Sequence, residues 1–218
     1  MKYLLPLALL AGLLLLAACA KHRTDDPTPA DPEPSDGEWT VADDTAVTDE
    51  RRALFEKATA GLLGAKHTPV AYLGSQAVAG TNHCFLCRSS AVDGSGRSGA
   101  YTAAYLYEDP DGNVTVLSFT DLVGGAAEGM VGAWKPAEDW TVTEERRAVL
   151  DQALEASGTN AEPVAYLASQ VVAGMNHAFL VKTGDALAVV KVWQKLAGGA
   201  ELTQTEVFDL GGHCAYGG

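Results

Sequence analysis

Residues that could bind a metal or act as a nucleophile gather around Cys84 and Cys87. His83 precedes this pair, and His213 and Cys214 lie near the C-terminus, so the five could form a zinc site. On an extended strand, however, residues three apart point to opposite faces, so the two thiols would diverge. Their Cα atoms would lie about 10 Å apart, beyond the limit of about 7 Å for a disulfide. We therefore expect no metal and no cofactor.

The sequence also argues against a catalytic role for Cys84. This cysteine follows His83, but adjacent residues on a strand face apart, and a nucleophile needs its base within hydrogen-bond reach. No acid–base partner recurs around it, so we predict no catalytic residue and no enzyme activity. Cys214 could still form a disulfide with Cys84 or Cys87 in an oxidising compartment, and this alternative stays open.

An eight-residue segment occurs twice, from Gln76 to His83 and from Gln170 to His177. The copies read Gln-Ala-Val-Ala-Gly-Thr-Asn-His and Gln-Val-Val-Ala-Gly-Met-Asn-His, and similar residues flank both of them. A repeat at a spacing of about 94 residues predicts two structural units. The glycine in each copy supplies the backbone freedom that a tight turn needs, so each copy is predicted to form the turn of a β-hairpin.

A helix is predicted ahead of each repeat. Thr48 and Thr143 are suited to cap these helices, because their hydroxyls can accept a bond from a free backbone amide and acidic residues follow directly. Extended apolar runs separated by turn residues come after each helix, including a turn from Asp109 to Asn113. One helix followed by consecutive antiparallel strands predicts an α+β fold, in which each helix packs on an antiparallel β-sheet.

The composition fits a folded protein that does not bind nucleic acid. The chain has 218 residues, of which 47% are hydrophobic, and a formal net charge of -13. This apolar fraction can supply a core for each unit, whereas phosphate binding needs a concentrated basic surface. Four cysteines are too few for a disulfide-built scaffold, so apolar burial has to hold the fold together. The sequence does not indicate an oligomeric state.

The N-terminal part is predicted to be a targeting segment and a tether. An apolar run from Leu4 to Leu16 is too short to span a bilayer, which is typical of a signal peptide. Its end resembles the lipobox of bacterial lipoproteins, which implies that the signal peptide and lipobox span residues 1–19 and that lipid is attached to Cys19. Residues 20–36 are rich in proline and acidic residues, which predicts a disordered tether. With Ala20 after the anchor, the resemblance implies the bacterial cell envelope, at the outer membrane.

Both repeats match the Gln-x-Val-x-Gly signature of the cystatins. In that family the signature lies on the hairpin after a single long helix, which agrees with the order of elements predicted for this chain. The sequence therefore resembles the cystatins, and the second copy is similar to the loop of stefins and plant cystatins. The resemblance implies two tandem cystatin-like domains, residues 37–122 and 132–210, with a linker at 123–131 and a C-terminal tail at 211–218.

The resemblance implies an inhibitor of papain-like cysteine proteases, with such a protease as its partner and the lipid anchor as its contact with the membrane. Cystatins block the active-site cleft with a glycine-containing N-terminal trunk, the signature turn and a second hairpin turn. We expect the second domain to inhibit more strongly, because its signature is more apolar and the second turn of the first domain contains two aspartates. The protease-binding residues implied are Gly37, Gln76, Ala77, Val78, Ala79 and Gly80 in the first domain, and Gly132, Gln170, Val171, Val172, Ala173, Gly174, Gly198 and Gly199 in the second.

A non-inhibitory function stays open as an alternative. Neither unit contains the Pro-Trp pair that many cystatins carry in the second hairpin, and a fold does not by itself determine a function. The alternative is a protein- or peptide-binding module of the bacterial envelope. Measuring inhibition of papain would distinguish the two.

Overall fold

The computed structural model describes residues 37–91, 99–123 and 132–212. We call residues 37–123 the first half and residues 132–212 the second half. The first half contains β1 (Trp39–Val41), α1 (Asp49–Thr59), β2 (Ala65–Val78), β3 (Gly80–Ala91), β4 (Ala100–Glu108) and β5 (Val114–Val123). The second half contains β6 (Lys135–Pro136), α2 (Glu144–Ser157), β7 (Glu162–Val172), β8 (Gly174–Thr183), β9 (Ala186–Gln194) and β10 (Ala200–Phe208).

Each half forms a five-stranded antiparallel sheet whose strands are neighbours in space in the same order as in the sequence. Strands β1 to β5 make the first sheet, and strands β6 to β10 make the second. Equivalent irregularities interrupt β2 between Pro69 and Ala71 and β7 between Pro163 and Ala165. A bulge bends a strand and increases its twist, so both sheets bend at equivalent positions.

Both helices begin where the sequence predicts. Thr48 and Thr143 have extended backbone, and each hydroxyl accepts a hydrogen bond from the amide three residues later, which confirms the two caps. The second helix is capped at its end by Gly158, whose φ of +68° is left-handed and favours glycine. The first helix ends at Thr59, and its C-cap residue, Ala60, keeps a right-handed helical backbone.

Apolar side chains form three clusters that arrange the elements in four layers. One cluster lies between α1 and the first sheet and contains Phe55 and Phe85. Another lies between α2 and the second sheet and contains Leu150 and Phe179. The third joins the two sheets face to face, and its buried members include Ala71, Leu73, Cys84, Leu86 and Tyr105 from the first half and Ala165, Leu167, Ala178, Leu180 and Leu187 from the second. The layer order is therefore helix, sheet, sheet, helix.

The predicted fold class, two α+β cystatin-like domains that each pack one helix on an antiparallel sheet, is wrong. The described residues form ten strands and only two helices, so the protein is mostly β, with two antiparallel five-stranded sheets. The physical reason is visible in β3, where every residue from Cys84 to Cys87 is fully buried. A strand buried at consecutive positions has both faces covered, and one helix can cover only one of them. The second sheet covers the other face.

Two of the polar contacts between the two halves form a matched pair. Arg88 Nε donates to the carbonyl oxygen of Ala137 at 3.2 Å, and Lys182 Nζ donates to that of Ala42 at 2.7 Å. Arg88 and Lys182 occupy equivalent positions of the repeat, and so do Ala42 and Ala137. Reciprocal contacts of this kind are the mark of a two-fold arrangement, so the halves are related by an approximate two-fold axis.

The predicted signal peptide and tether lie outside the described residues, as do nearly all of the linker and most of the tail. Residues 34–218 form one compact unit. The domain boundaries at 37–122 and 132–210 stay predictions. Within the described ranges, neither helix is long and apolar enough to cross a membrane.

Candidate functional site

The three segments that the resemblance implicates lie side by side where the strands of the first sheet end, at the same end of the sheet. The amide of Gly37 donates to the carbonyl oxygen of Ala77 at 2.7 Å. The signature turn follows directly, and β3 then pairs with the end of β4, beyond which the second hairpin turn begins. We call Gly37, residues 76–80 and residues 109–113 the first turn edge.

The second half repeats this arrangement. Met175, directly after the signature turn, pairs with Gln194, which lies just before the β9–β10 turn. We call Gly132, residues 170–174 and residues 195–199 the second turn edge. The structure therefore brings together, within each half, the trunk glycine and the two turns that the resemblance implies.

The glutamine of each signature ties the trunk to the turn. Gln76 Nε2 donates to the carbonyl oxygen of Gly37 at 2.9 Å, and Gln76 Oε1 accepts from Asn82 Nδ2 at 2.8 Å. Gln170 makes the same two contacts in the second half, at 2.7 and 2.8 Å. The resemblance assigns both glutamines to protease binding, but their amide groups also bond within the protein. They stabilise the edge whether or not a protease binds.

The glycine of each signature is required by its surroundings. Gly80 and Gly174 have φ values of +127° and +115°, a region that residues with a side chain rarely adopt. A Cβ at either position would overlap the carbonyl oxygen of the last residue of the adjacent strand. It would also lie 2.8 Å from the Tyr107 ring in the first half or 2.9 Å from Trp193 Nε1 in the second. Both glycines therefore allow two chain segments to approach closely.

An aromatic residue of the adjacent strand braces each signature turn. The Tyr107 hydroxyl donates to the carbonyl oxygen of Ala79 at 2.5 Å, and Trp193 Nε1 donates to that of Ala173 at 3.0 Å. These bonds satisfy a carbonyl group at the tip and hold the turn against its neighbour. A turn held in this way loses little conformational entropy when a partner binds it.

The two turn edges differ in their exposed side chains. At the second turn edge Val171, Val172 and Leu196 are 70%, 40% and 85% exposed. At the first turn edge the exposed apolar side chains are the smaller ones of Ala77, Ala79 and Pro110, and this described edge has no exposed valine, leucine or other large hydrophobic side chain. Of the two turn edges, therefore, the second is the one that exposes large apolar side chains to a partner.

The second hairpin turns also differ. In the first half the Asp109 carboxylate accepts from the amides of Asp111 and Asn113 at 2.9 and 2.7 Å and from the Asn113 side chain at 2.8 Å. The Asn113 side chain, followed by its amide, holds the pKa of Asp109 below its usual value, which favours the charged form. In the second half the turn has no acidic residue. Gly198 and Gly199 each have a φ of +90°, and the one charged side chain of the turn, Lys195, forms an ion pair with Glu201 at 2.8 Å.

No protein-family model matches the chain, and no curated protein sequence matches it. The similarity to the cystatins therefore rests on the two signatures and on the segments beside them. Membership of that family stays a prediction.

A histidine follows each signature turn, three residues after the signature glycine. His83 Nδ1 lies 3.0 Å from a tyrosine hydroxyl, Tyr72 Oη, and its Nε2 lies 3.3 Å from a Glu108 oxygen. His177 makes the equivalent contacts with a tyrosine and with Gln194, both at 3.0 Å. Burial lowers the pKa of both histidines, and the contact with Glu108 or Gln194 opposes this shift. These contacts assign the histidines to the frame that supports each turn.

The cysteines do not assemble into a site in the described part of the chain. Cys84 belongs to the cluster between the sheets and Cys87 to the cluster beneath α1, so their side chains lie on opposite faces, as predicted. Burial raises the pKa of the Cys87 thiol, which disfavours thiolate chemistry. No three histidine, cysteine or acidic side chains of the described residues are grouped to hold a metal ion. Cys19 and Cys214 lie outside those residues, so the lipid and the Cys214 disulfide stay predictions.

Three features of the turn edges are not predicted from the sequence. Leu196 is the most exposed of the large apolar residues there, and the signal that could find it is its position directly before an Ala-Gly-Gly turn. Asn82 and Asn176 hold the signature glutamines, and their presence in both repeats is a usable signal. Tyr107 and Trp193 share no residue type, so their equivalence is visible only in the strand register.

Proposed function

We propose that the protein inhibits papain-like cysteine proteases by inserting the second turn edge, and more weakly the first, into the active-site cleft. The observation that carries the proposal is the exposure of Val171, Val172 and Leu196 on two neighbouring hairpin turns. Apolar side chains on a narrow edge suit a protein cleft, because binding there removes them from water. The match of both signatures to that of the cystatins supports the same function.

The energetics favour such a role. Full burial of an exposed valine or leucine side chain contributes about 1.5–3 kcal/mol. Val171 and Leu196 keep most of their surface exposed and Val172 keeps 40%, so a part of this value from each side chain can outweigh the modest ordering cost of a braced turn. Val172 pairs with Gly174 across the tip, so the chain reverses direction at Ala173. A reversed tip does not lie along a cleft as an extended substrate does, and this protects the inhibitor from cleavage.

Titration of papain with residues 34–218 tests the proposal. This compact unit contains every described strand and helix. We expect competitive inhibition of peptide hydrolysis, with the inhibitor recovered intact, and no inhibition of trypsin as a control protease of another class. Full papain activity in the presence of about 100 µM folded protein, equivalent to binding weaker than about 5 kcal/mol, would rule the proposal out.

A non-inhibitory protein- or peptide-binding function in the envelope is the second candidate. Gln76 and Gln170 bond to their own trunks, and Gly80 and Gly174 are required by the close approach of neighbouring strands. The signature can therefore be retained for the architecture of the turn alone. A partner captured through Val172 by a protein that leaves papain fully active would favour this candidate.

We also propose that lipid attached to Cys19 holds the protein in the bacterial envelope, at the outer membrane. The lipobox resemblance and the proline-rich composition of residues 20–36 support this location. Cys19→Ser should move the protein from the membrane fraction to the soluble fraction, because lipid chains and not a spanning helix would hold it. A variant that stays in membranes after normal signal cleavage would contradict the anchor.

A further inference from the structure

The two turn edges lie at opposite ends of the four-layer unit. Trp39 pairs with Gln76 and therefore lies close to the first signature turn. A Cβ at Gly211 would lie 3.5 Å from Trp39 Cδ1, and Gly211 follows the end of β10 that is farthest from the β9–β10 turn. The first turn edge thus lies beside the end of the second sheet that is distant from the second turn edge.

A further contact indicates the same relative orientation of the two sheets. A Cβ at Gly74 would lie 2.7 Å from Leu210 Cδ1, which again places the far end of the second sheet near the turn end of the first. The approximate two-fold relation requires the converse contact as well. The reciprocal bonds of Arg88 to Ala137 and of Lys182 to Ala42 supply it, because each joins one half far from its signature turn to a segment that follows the trunk of the other half.

The strand lengths indicate how far apart the turn edges are. Trp39 lies about three residues from the first signature turn, and Gly211 lies about twelve residues from the β9–β10 turn. Nine of these twelve residues are extended in β10, so at about 3.3 Å per extended residue the separation is on the order of 40 Å. A globular protease of about 200 residues has a radius of gyration of about 16 Å. Two such proteases can therefore dock at the opposite ends without touching each other.

We propose that one molecule binds two papain-like proteases at once, one at each turn edge; this inference rests on the proposed function. The second turn edge supplies the tighter site through Val172 and Leu196, and the first supplies the weaker site. Because the halves share the cluster between the sheets, the sites are held at a constant separation. The two binding events are therefore expected to be independent and to differ in affinity.

Size-exclusion chromatography with light scattering measures the stoichiometry. Residues 34–218 are mixed with an excess of papain whose active-site thiol carries a small blocking group, at about 100 µM so that a micromolar second site is filled. We expect a complex that contains two papain molecules per chain. Saturation at one papain per chain, with inhibition of active papain intact, overturns the two-site inference and leaves the proposed function standing. No complex together with no inhibition overturns both.

Two matched variants locate the sites. Val78→Asp should leave one papain bound with the wild-type affinity of the tighter site, and Val172→Asp should leave one papain bound with the affinity of the weaker site. The double variant should bind none. Thermal melts that match the wild type confirm that each variant is folded. If either single variant abolishes the whole complex while folded, the turn edges are not separate sites and the inference is wrong.

Discussion

At the first turn edge Gln76 bonds to the Gly37 trunk at 2.9 Å, and at the second Gln170 bonds to the Gly132 trunk at 2.7 Å. Both signature glycines have left-handed φ values, and an aromatic residue braces each tip. The exposed side chains differ, since the second edge offers two valines and a leucine and the first offers alanines beside the charged Asp109 turn. Each signature therefore contains two kinds of residue. The glutamine and the glycine build the turn, and the residues between them can contact a partner.

The largest effect is expected from Val172→Asp at the second turn edge. It would carry an unpaired charge into an apolar cleft, at a cost of about 3–4 kcal/mol, or a loss of roughly 100- to 1000-fold in the papain inhibition constant. Val78→Asp, at the equivalent position of the first turn edge, should leave the tighter site unchanged. The measurement is the inhibition constant of each variant.

Val207→Asp is the matched control for that pair. Val207 is 68% exposed and lies on β10 far from the second turn edge, and its neighbour Phe208 points into the cluster between the sheets. The same change of residue type at this position should leave inhibition unaltered. Equal losses of inhibition from Val172→Asp and Val78→Asp would show that the two turn edges contribute equally to papain binding, and the ranking of the second edge above the first would be wrong.

The signature glycines should be equally important in both halves. Gly174→Ala and Gly80→Ala each add left-handed strain and an overlap with a backbone carbonyl oxygen, so each should lower the free energy of unfolding by about 2–3 kcal/mol. Gly198→Ala is the control, because it has a positive φ but no atom within 4 Å of the added Cβ, and about 1–2 kcal/mol is expected. Urea unfolding measures all three. If Gly80→Ala left the free energy of unfolding unchanged, the two signature turns would not depend on the same backbone geometry.

Loss of the signature glutamine should release the second trunk more than the first. The first trunk keeps an amide bond to β2 and three paired residues in β1, whereas the described part of the second trunk pairs through only two residues in β6. Gln170→Ala and Gln76→Ala each remove a bond that contributes about 1 kcal/mol. Hydrogen exchange should therefore increase more at residues 132–136 in the first variant than at residues 37–41 in the second. Similar increases would contradict this ranking.

The smallest difference is expected in acid. Burial lowers the pKa of His83 and His177 in the folded state, so stability present above about pH 6.5 should be lost as pH falls toward the lower folded values. The Glu108 carboxylate opposes this shift at His83 alone. Glu108→Gln, which copies Gln194, should therefore increase the loss of stability between pH 7.5 and 5.0. Gln194→Glu should reduce it, and urea unfolding at both pH values checks the two signs.

The local elements could be predicted because residues close in sequence determine them. Thr48 and Thr143 cap the helices with their own hydroxyls, and the signature glycines turn the chain through their own backbone conformations. The repeat also indicated that whatever forms around one signature would form around the other. The bond from each signature glutamine to its trunk could not be predicted from the sequence, because the two residues that it joins are 39 positions apart in the first half and 38 in the second.

The tertiary structure decided which surfaces were covered and where the turn edges lie. A buried strand such as β3 shows only that both of its faces are covered, since any apolar element can remove its side chains from water. The sequence therefore could not distinguish two independent helix-on-sheet domains from two sheets packed on each other. That choice is made by contacts between residues far apart in the sequence. Arg88 bonds to the carbonyl oxygen of Ala137, 49 positions away, and Lys182 bonds to that of Ala42, 140 positions away. The apolar cluster between the sheets adds to these contacts. Because the same contacts orient the sheets, they also direct the two turn edges to opposite ends.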